Sequence, residues 1–228
     1  MTTSPVPTQQ RAFLEDTYLF ECSTMLLDVV TDGDEAILTP ERVIFHPRGG
    51  GQPSDRGFVG TVSVSSLVAN ANGTIGLRCS RDPELLAGAT VTTRIDAAAR
   101  CQHAALHTAG HLVDAIVREQ GLHHRRSNHF PGESRVEFDA PTKNVDLNRL
   151  RGTVTEKAFA AISADLPVRA ETRESVRWIV IDGVGEDPCG GTHVSSLGAL
   201  SDFAVRSIKR KGSVLKVGYD VVHADRMR

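Results

Sequence analysis

The 228-residue chain contains no Cys-x-x-Cys pair, and its four cysteines, Cys22, Cys79, Cys101 and Cys189, stand far apart. That spacing points away from a disulfide framework and towards reduced thiols in a cytoplasmic protein, one of them free to ligate a metal. The opening segment, MTTSPVPTQQ, lacks a basic stretch followed by an apolar run, so no signal peptide is expected. No stretch of about 18 apolar residues occurs, so no helix is expected to span a membrane. Internal repeats and low-complexity segments are also missing. Charge is weak overall, at −2, but unevenly spread: 7 Lys/Arg face 12 Asp/Glu before Ala97, and 19 face 16 from there on. This mild asymmetry permits a polyanionic partner on the C-terminal part without demanding one. Hydrophobic residues make up 40% and charged residues 24%, an ordinary globular balance with enough apolar mass for a core.

What is present centres on residues 100–117, RCQHAALHTAGHLVDAIV. Asp96 is a good N-cap, no proline interrupts, and a helix is expected over 97–120. Ala105, Leu106, Ala109, Leu112, Val113, Ile116 and Val117 share one arc, and His103, His107 and His111 lie on a neighbouring one. Spacing of four places successive imidazoles one turn apart, where two can close on one metal ion. Alone, HxxxH can be a solvated polar stripe, and the downstream CGGTH of Cys189–His193 can be a tight loop. Together they supply His107, His111, Cys189 and His193, a Cys/His₃ set suited to Zn²⁺.

The remainder divides near Asp96. Residues 1–12, with Pro5 and Pro7, read as a disordered tail. Strands are expected at 18–30, 36–39, 43–46, 58–69, 75–79 and 89–95, turning at Asp32-Gly33 and Asn72-Gly73, which suggests a small β-barrel over 13–96. Inside it, FHPRGGGQPSDRG (45–57) allows close backbone approach at Gly49–Gly51, and flanking Pro47 and Pro53 argue for a shaped loop. Residues 97–228 read as α+β, with strands at 135–138, 168–172, 177–182, 203–209 and 214–222 and an amphipathic helix at 147–164 capped by Asp146. Two basic clusters, His123-His124-Arg125-Arg126 and Arg206 with Lys209-Arg210-Lys211, are either solvated surface or polyanion contacts.

Three segments in fixed order, FHPRGGGQPSDRG, HAALHTAGHLV and DPCGGTHV, closely resemble the editing domain of alanyl-tRNA synthetase and its free-standing relatives, the AlaX alanyl-tRNA editing proteins of medium size. The resemblance spans about Tyr18 to Val222. It implies a translation-factor-like barrel followed by an α+β zinc-containing domain of the threonyl/alanyl-tRNA synthetase editing type, without an aminoacylation domain. It also implies hydrolysis of the ester of mischarged alanine tRNA, mainly Ser-tRNA(Ala) and also Gly-tRNA(Ala). By motif, His107, His111, Cys189 and His193 match the zinc ligands and Gln52 the pocket glutamine; these five form the expected catalytic set. Gly49, Gly50, Gly51, Gln52, Ser127, His129 and Thr192 are the expected substrate contacts. Arg125, Arg126, Arg206, Lys209, Arg210 and Lys211 are the expected tRNA contacts. His103 is not part of the family zinc set and is expected either behind the ligands or as a bystander. His46 and Val43 depart from the Tyr and Thr usual in the family, which leaves more of the serine recognition to Gln52.

An aminoacyl ester is already activated, so a positioned water and charge stabilisation suffice. Zn²⁺ can polarise the carbonyl, activate water or orient the amino group, and the residues leave these open. No Asp or Glu within the motifs stands as a general base. A zinc peptidase is disfavoured because Thr108 occupies the place of the catalytic Glu of HExxH. A zinc-stapled RNA-binding module without catalysis, or editing of another mischarged tRNA, stays open. The expected partner is tRNA, with neither DNA nor membrane, and the expected location is the cytoplasm.

Overall fold

The computed structural model of the protein describes residues 8–82, 84–140 and 145–224. The chain falls into two compact units. One runs to Arg48 and resumes over Ser54–Arg100; the other comprises Gly49–Pro53 and the chain from Cys101 onward. The glycine loop, assigned from sequence to the barrel, thus groups with the second unit, and the division falls at Arg100 rather than Asp96.

The first unit contains β1 (Gln10–Arg11), β2 (Glu21–Asp32), β3 (Glu35–Pro40), β4 (Arg42–Val43), β5 (Gly57–Val59), β6 (Val62–Ala69), β7 (Ile75–Ser80) and β8 (Thr90–Ile95). Six of them close a barrel in the order β2-β3-β7-β6-β5-β8. Alternation decides what faces inward: Cys22, Thr24 and Leu26 of β2 and Val91, Thr93 and Ile95 of β8 are buried while their neighbours are not. Val43 sits fully buried in this core. The stretch expected as one strand over 58–69 is two, because Gly60 adopts φ +57° and turns the chain. The tail expected over 1–12 is ordered from Thr8 onward. Gln10 and Arg11 pair in parallel with Arg42 and Val43, Ala12 is buried, and the Gln9 amide bonds Pro40 O and Ile75 O at 2.9 Å each; residues 1–7 lie outside the described residues. Arg100 and Asp55 form a fully buried ion pair. Asp55 also accepts from His46 N–H (2.6 Å) and donates its own N–H to His46 O (3.0 Å), so the flanks of the glycine loop are pinned to each other.

The long helix α1 spans Ala97–Arg118 and is capped by Asp96 Oδ1, which accepts from Ala99 N–H at 3.0 Å. It stops two residues short of expectation, with Gly121 at φ +75° just beyond. The second unit then continues through β9 (His123–Asn128), β10 (Arg135–Asp139), α2 (Leu147–Ser163), β11 (Val168–Arg173), β12 (Val176–Ile181), β13 (Gly185–Pro188), β14 (Leu200–Lys211) and β15 (Val214–His223). These form a four-stranded sheet, β14-β15-β10-β9, and a three-stranded one, β11-β12-β13. Helix α2 starts at Asp146, whose carboxylate accepts from Asn148 N–H and Arg149 N–H. The seven residues assigned from sequence to the apolar arc of α1 are all buried. They share one core with Val136, Phe138, Leu215, Val217 and the Leu150–Val154–Ala158–Ala161 stripe of α2. Strands β9 and β13 were not legible as strands.

Candidate metal centre

Helical spacing brings His107 and His111 of α1 to the loop after β13, and the potential ligand atoms of His107, His111, Cys189 and His193 all lie within 4.8 Å of one another. His103 stays outside this set. The CGG turn comes so close to the helix that a Cβ on Gly191 would stand 2.2 Å from His107 Cε1, which is why a side chain is excluded there.

The protons of the surrounding groups settle how the imidazoles present themselves. Thr192 N–H donates to Gln52 Oε1 (3.0 Å), and Gln52 Nε2 donates to the Thr192 hydroxyl (2.9 Å), which fixes the amide orientation. Gln52 Oε1 therefore accepts from His107 Nδ1–H at 2.8 Å, which puts the lone pair of His107 on Nε2. The Thr108 hydroxyl donates to Ala104 O (2.9 Å), so it accepts from His193 Nδ1–H at 3.2 Å, which puts the lone pair of His193 on Nε2. His111 turns Nδ1 towards Asp187 Oδ2 at 3.5 Å. These Nε2 atoms converge on sulfur: Cys189 Sγ lies 3.5 Å from His107 Nε2 and 3.2 Å from His193 Nε2. Oxygen-anchored imidazoles around a thiol are the outer-shell pattern of a metal site. The donor set therefore fits a metal ion.

Charge couples His111 and Cys189. Burial opposes ionisation of both His111 and Cys189. The Asp187 carboxylate and the sulfur nevertheless hold His111 up at about 9, and the His111 charge draws the Cys189 thiol below its usual range. Asp187 is kept ionised against burial by His111 and Arg118, the latter at 2.6 Å. Arg177 of β12 donates to Cys189 O (2.7 Å) and Gly191 O (3.1 Å), bracing the loop from behind.

The centre opens on a cavity of about 520 Å³ whose wall includes Gly50, Gly51, His107, His111, Ser127 and His129. Asp114 and Asp187 are also on this wall, carboxylates that sequence reasoning did not place there; Asp114 is held by His124 (2.8 Å) and Arg118 (3.0 Å). Burial, then the charges of His111 and His124, push His129 down to about 3, so its ring is neutral. Gln52 and Thr192 are fully buried and absent from the wall. The Gln52 amide oxygen accepts from His107 and Thr192, and its Nε2 donates to the Thr192 hydroxyl, so the side chain braces the imidazole of His107.

The basic residues separate as well. Arg206 is tied to Tyr219 O (3.2 Å), Ser134 O (2.9 Å) and Asp220, and Arg125 pairs with Asp139 at 3.0 Å. Arg210 donates to Ala140 O (2.8 Å) and Gly212 O (3.0 Å), whereas Lys209 and Lys211 are exposed. Strand register aligns Arg126, Glu137, Lys216 and Lys209 across the sheet. Glu137 is thereby enclosed by Arg126, Arg135 and Lys216, the last two unseen in the sequence. Thr108, Asp187, Arg177 and Tyr219 were missed for the same reason: each acts through a partner far along the chain.

A closed barrel, an α+β unit and a partly buried Cys/His₃ cluster define a protein with a candidate metal site in a mixed fold. Its sequence fits the AlaX-type alanyl-tRNA editing proteins. The chain is 27% identical to alanyl-tRNA editing protein AlaX-L of Pyrococcus horikoshii, with 90% of this chain and 56% of that protein covered. It is 25% identical to AlaX-M of Methanosarcina acetivorans, over 86% and 92%. It is 28% identical to the alanine–tRNA ligase of Caldivirga maquilingensis, over 90% of this chain but 26% of the ligase. The chain thus spans little more than half of the first of these relatives and about a quarter of the ligase. No family model matches it.

Proposed function

We propose that the chain is an aminoacyl-tRNA deacylase that hydrolyses mischarged alanine tRNA in trans, mainly Ser-tRNA(Ala) and also Gly-tRNA(Ala), in the cytoplasm. The observation that carries this reading is the Cys/His₃ donor set, with its imidazoles anchored through Nδ1, beside a cavity walled by Gly50, Gly51, Ser127 and His129. The names of the relatives support it. A thiolate with neutral imidazoles suits Zn²⁺, and His107, His111, Cys189 and His193 would hold it. When bound, the ion supplies charge that polarises a carbonyl or anchors an amino group.

The chain's own residues supply the remainder. Gly50 and Gly51 admit the aminoacyl group close to backbone, and the wall excludes bulk water from the ester. Gln52, Thr108 and Asp187 hold the imidazoles in place. Lys209, Lys211, Arg125, Arg126 and Arg210 meet phosphates; Arg206, used within the unit, does so least. The test is deacylation of Ser-, Gly- and Ala-tRNA(Ala) by purified protein, with metal content measured alongside. Hydrolysis of the seryl ester with Ala-tRNA(Ala) spared supports the reading. Binding of tRNA without hydrolysis of any ester favours the non-catalytic RNA-binding module instead.

A further inference from the structure

One side chain on the cavity wall has an arrangement that metal ligation does not explain. His129 is 2% exposed. Its backbone N–H donates to Gly51 O at 2.8 Å, and its Nδ1 lies 2.6 Å from the hydroxyl of Tyr219, a fully buried residue. The same hydroxyl lies 2.9 Å from Leu106 O. Two oxygens at that distance need a proton between them, and a peptide carbonyl has none to give. The single phenol proton therefore sits on the Leu106 side. The short contact on the other side must be filled by a proton on His129 Nδ1. No carboxylate bonds this ring among the described residues; its stacking neighbour is His107, at 4.4 Å between centroids. The ring is thus the neutral Nδ1–H tautomer, and Nε2 carries a lone pair. Among the described residues Nε2 has no hydrogen-bond partner, and it is not sealed from the cavity.

The fold makes room for this pair at a cost elsewhere. Gly110 weakens α1 by about 1 kcal/mol against Ala. A Cβ there would stand 2.3 Å from His129 Cε1 and 2.6 Å from Tyr219 Oη. The glycine in HTAGH is what lets the histidine and the tyrosine meet over the helix.

We propose that His129, with its tautomer set by Tyr219, is the specificity-determining residue of the pocket: Nε2 accepts a hydrogen bond from the side-chain hydroxyl of a seryl ester. This rests on the deacylase reading above. An alanyl ester has no donor to offer, so its entry leaves the acceptor buried and unpaired, and a polar site of this kind discriminates against the analogue that lacks the hydroxyl. Gln52 is fully buried away from the cavity wall, its amide oxygen accepting from His107 and Thr192. Tyr219 is a positioning residue, since it acts through His129.

The experiment measures single-turnover hydrolysis of Ser- and Ala-tRNA(Ala) by the metal-loaded native protein, His129→Leu and Tyr219→Phe, with long-range ¹H–¹⁵N spectra of the histidines. His129→Leu should narrow the serine-over-alanine preference by roughly 10- to 100-fold, and Tyr219→Phe by a smaller factor. Native spectra should show His129 protonated at Nδ1 and bare at Nε2, with that assignment lost in Tyr219→Phe. Equal falls for both esters would mark a proton-transferring or structural residue and overturn the inference. A native proton on Nε2 would overturn it even if a variant fails to fold. Native deacylation with an unchanged preference in His129→Leu removes the inference alone. No deacylation by native protein removes the deacylase reading, and the inference with it.

Discussion

Replacing Gln52 by Leu, close in size but without the amide, tests whether the loop glutamine acts on the metal centre or on a substrate. In the native protein the amide satisfies His107 Nδ1–H at 2.8 Å, Thr192 N–H at 3.0 Å and the Thr192 hydroxyl at 2.9 Å. All three partners are buried. Leu leaves two donors without acceptors, each at roughly 1–3 kcal/mol, so stability should fall by about 2–4 kcal/mol after local relaxation. His107 also loses the group that fixes its tautomer, and losses of this kind lower metal affinity by about 10- to 100-fold. Gln52→Glu keeps both acceptor contacts, and the Thr192 hydroxyl can rotate to donate, so it should retain most of that affinity. The assay is competition for zinc against a chromophoric chelator, with thermal unfolding of the same samples. A Leu variant with native metal affinity that is nevertheless inactive on seryl ester would refute this reasoning. It would restore the substrate-contact role expected from sequence.

Three further perturbations have definite expected outcomes. Gly110→Ala raises helix propensity by about 1 kcal/mol but drives a methyl group into His129 and Tyr219. The net should be a loss of about 1–2 kcal/mol, read as a lower midpoint in urea. Although burial opposes its ionisation, Arg126, Lys216 and Arg135 hold the Glu137 carboxyl at about 2. Its contribution is therefore present above the unfolded value of about 4.5 and lost as pH falls towards 2. Allowing for partly exposed partners, Glu137→Gln should cost roughly 1–2 kcal/mol at neutral pH, and the gap to native protein should close in acid denaturation between those limits. Charge reversal of Lys209 and Lys211 should weaken tRNA binding and flatten its dependence on salt, the slope falling by about one for each phosphate left unneutralised; an unchanged slope would place the tRNA elsewhere.

Much of the fold could be read from the residues because its elements carry local signals. The α1 stripe repeats at helical spacing and ends near a glycine, and α2 announces its start with Asp146. The barrel strands alternate cleanly, as in β8. What was hidden lacks such signals. Strand β9 reads HHRRSN, a charged run by composition, and becomes a strand only because β10 offers it a paired edge. Strand β13, GEDP, ends on a proline that faces Trp178 at the sheet edge. The four residues of the candidate metal cluster were legible as two spaced pairs, whereas the groups that brace them were not. Gln52 and Thr192 are 140 residues apart, and Thr108 and His193 are 85 apart. Nothing in either local sequence says that they touch.

The hydrogen bonds around the donor loop also bear on when the centre forms. Thr192 N–H reaches His107 through Gln52, and Val194 N–H bonds the Thr108 hydroxyl (3.2 Å), which in turn receives His193. Two backbone amides flanking His193 are thereby tethered to the helix by protein atoms alone. Small zinc modules fold only when the ion arrives and binding energy becomes folding energy. Here the loop also has these hydrogen bonds to hold it. Treatment with a chelator should therefore leave the secondary structure in place, which circular dichroism checks.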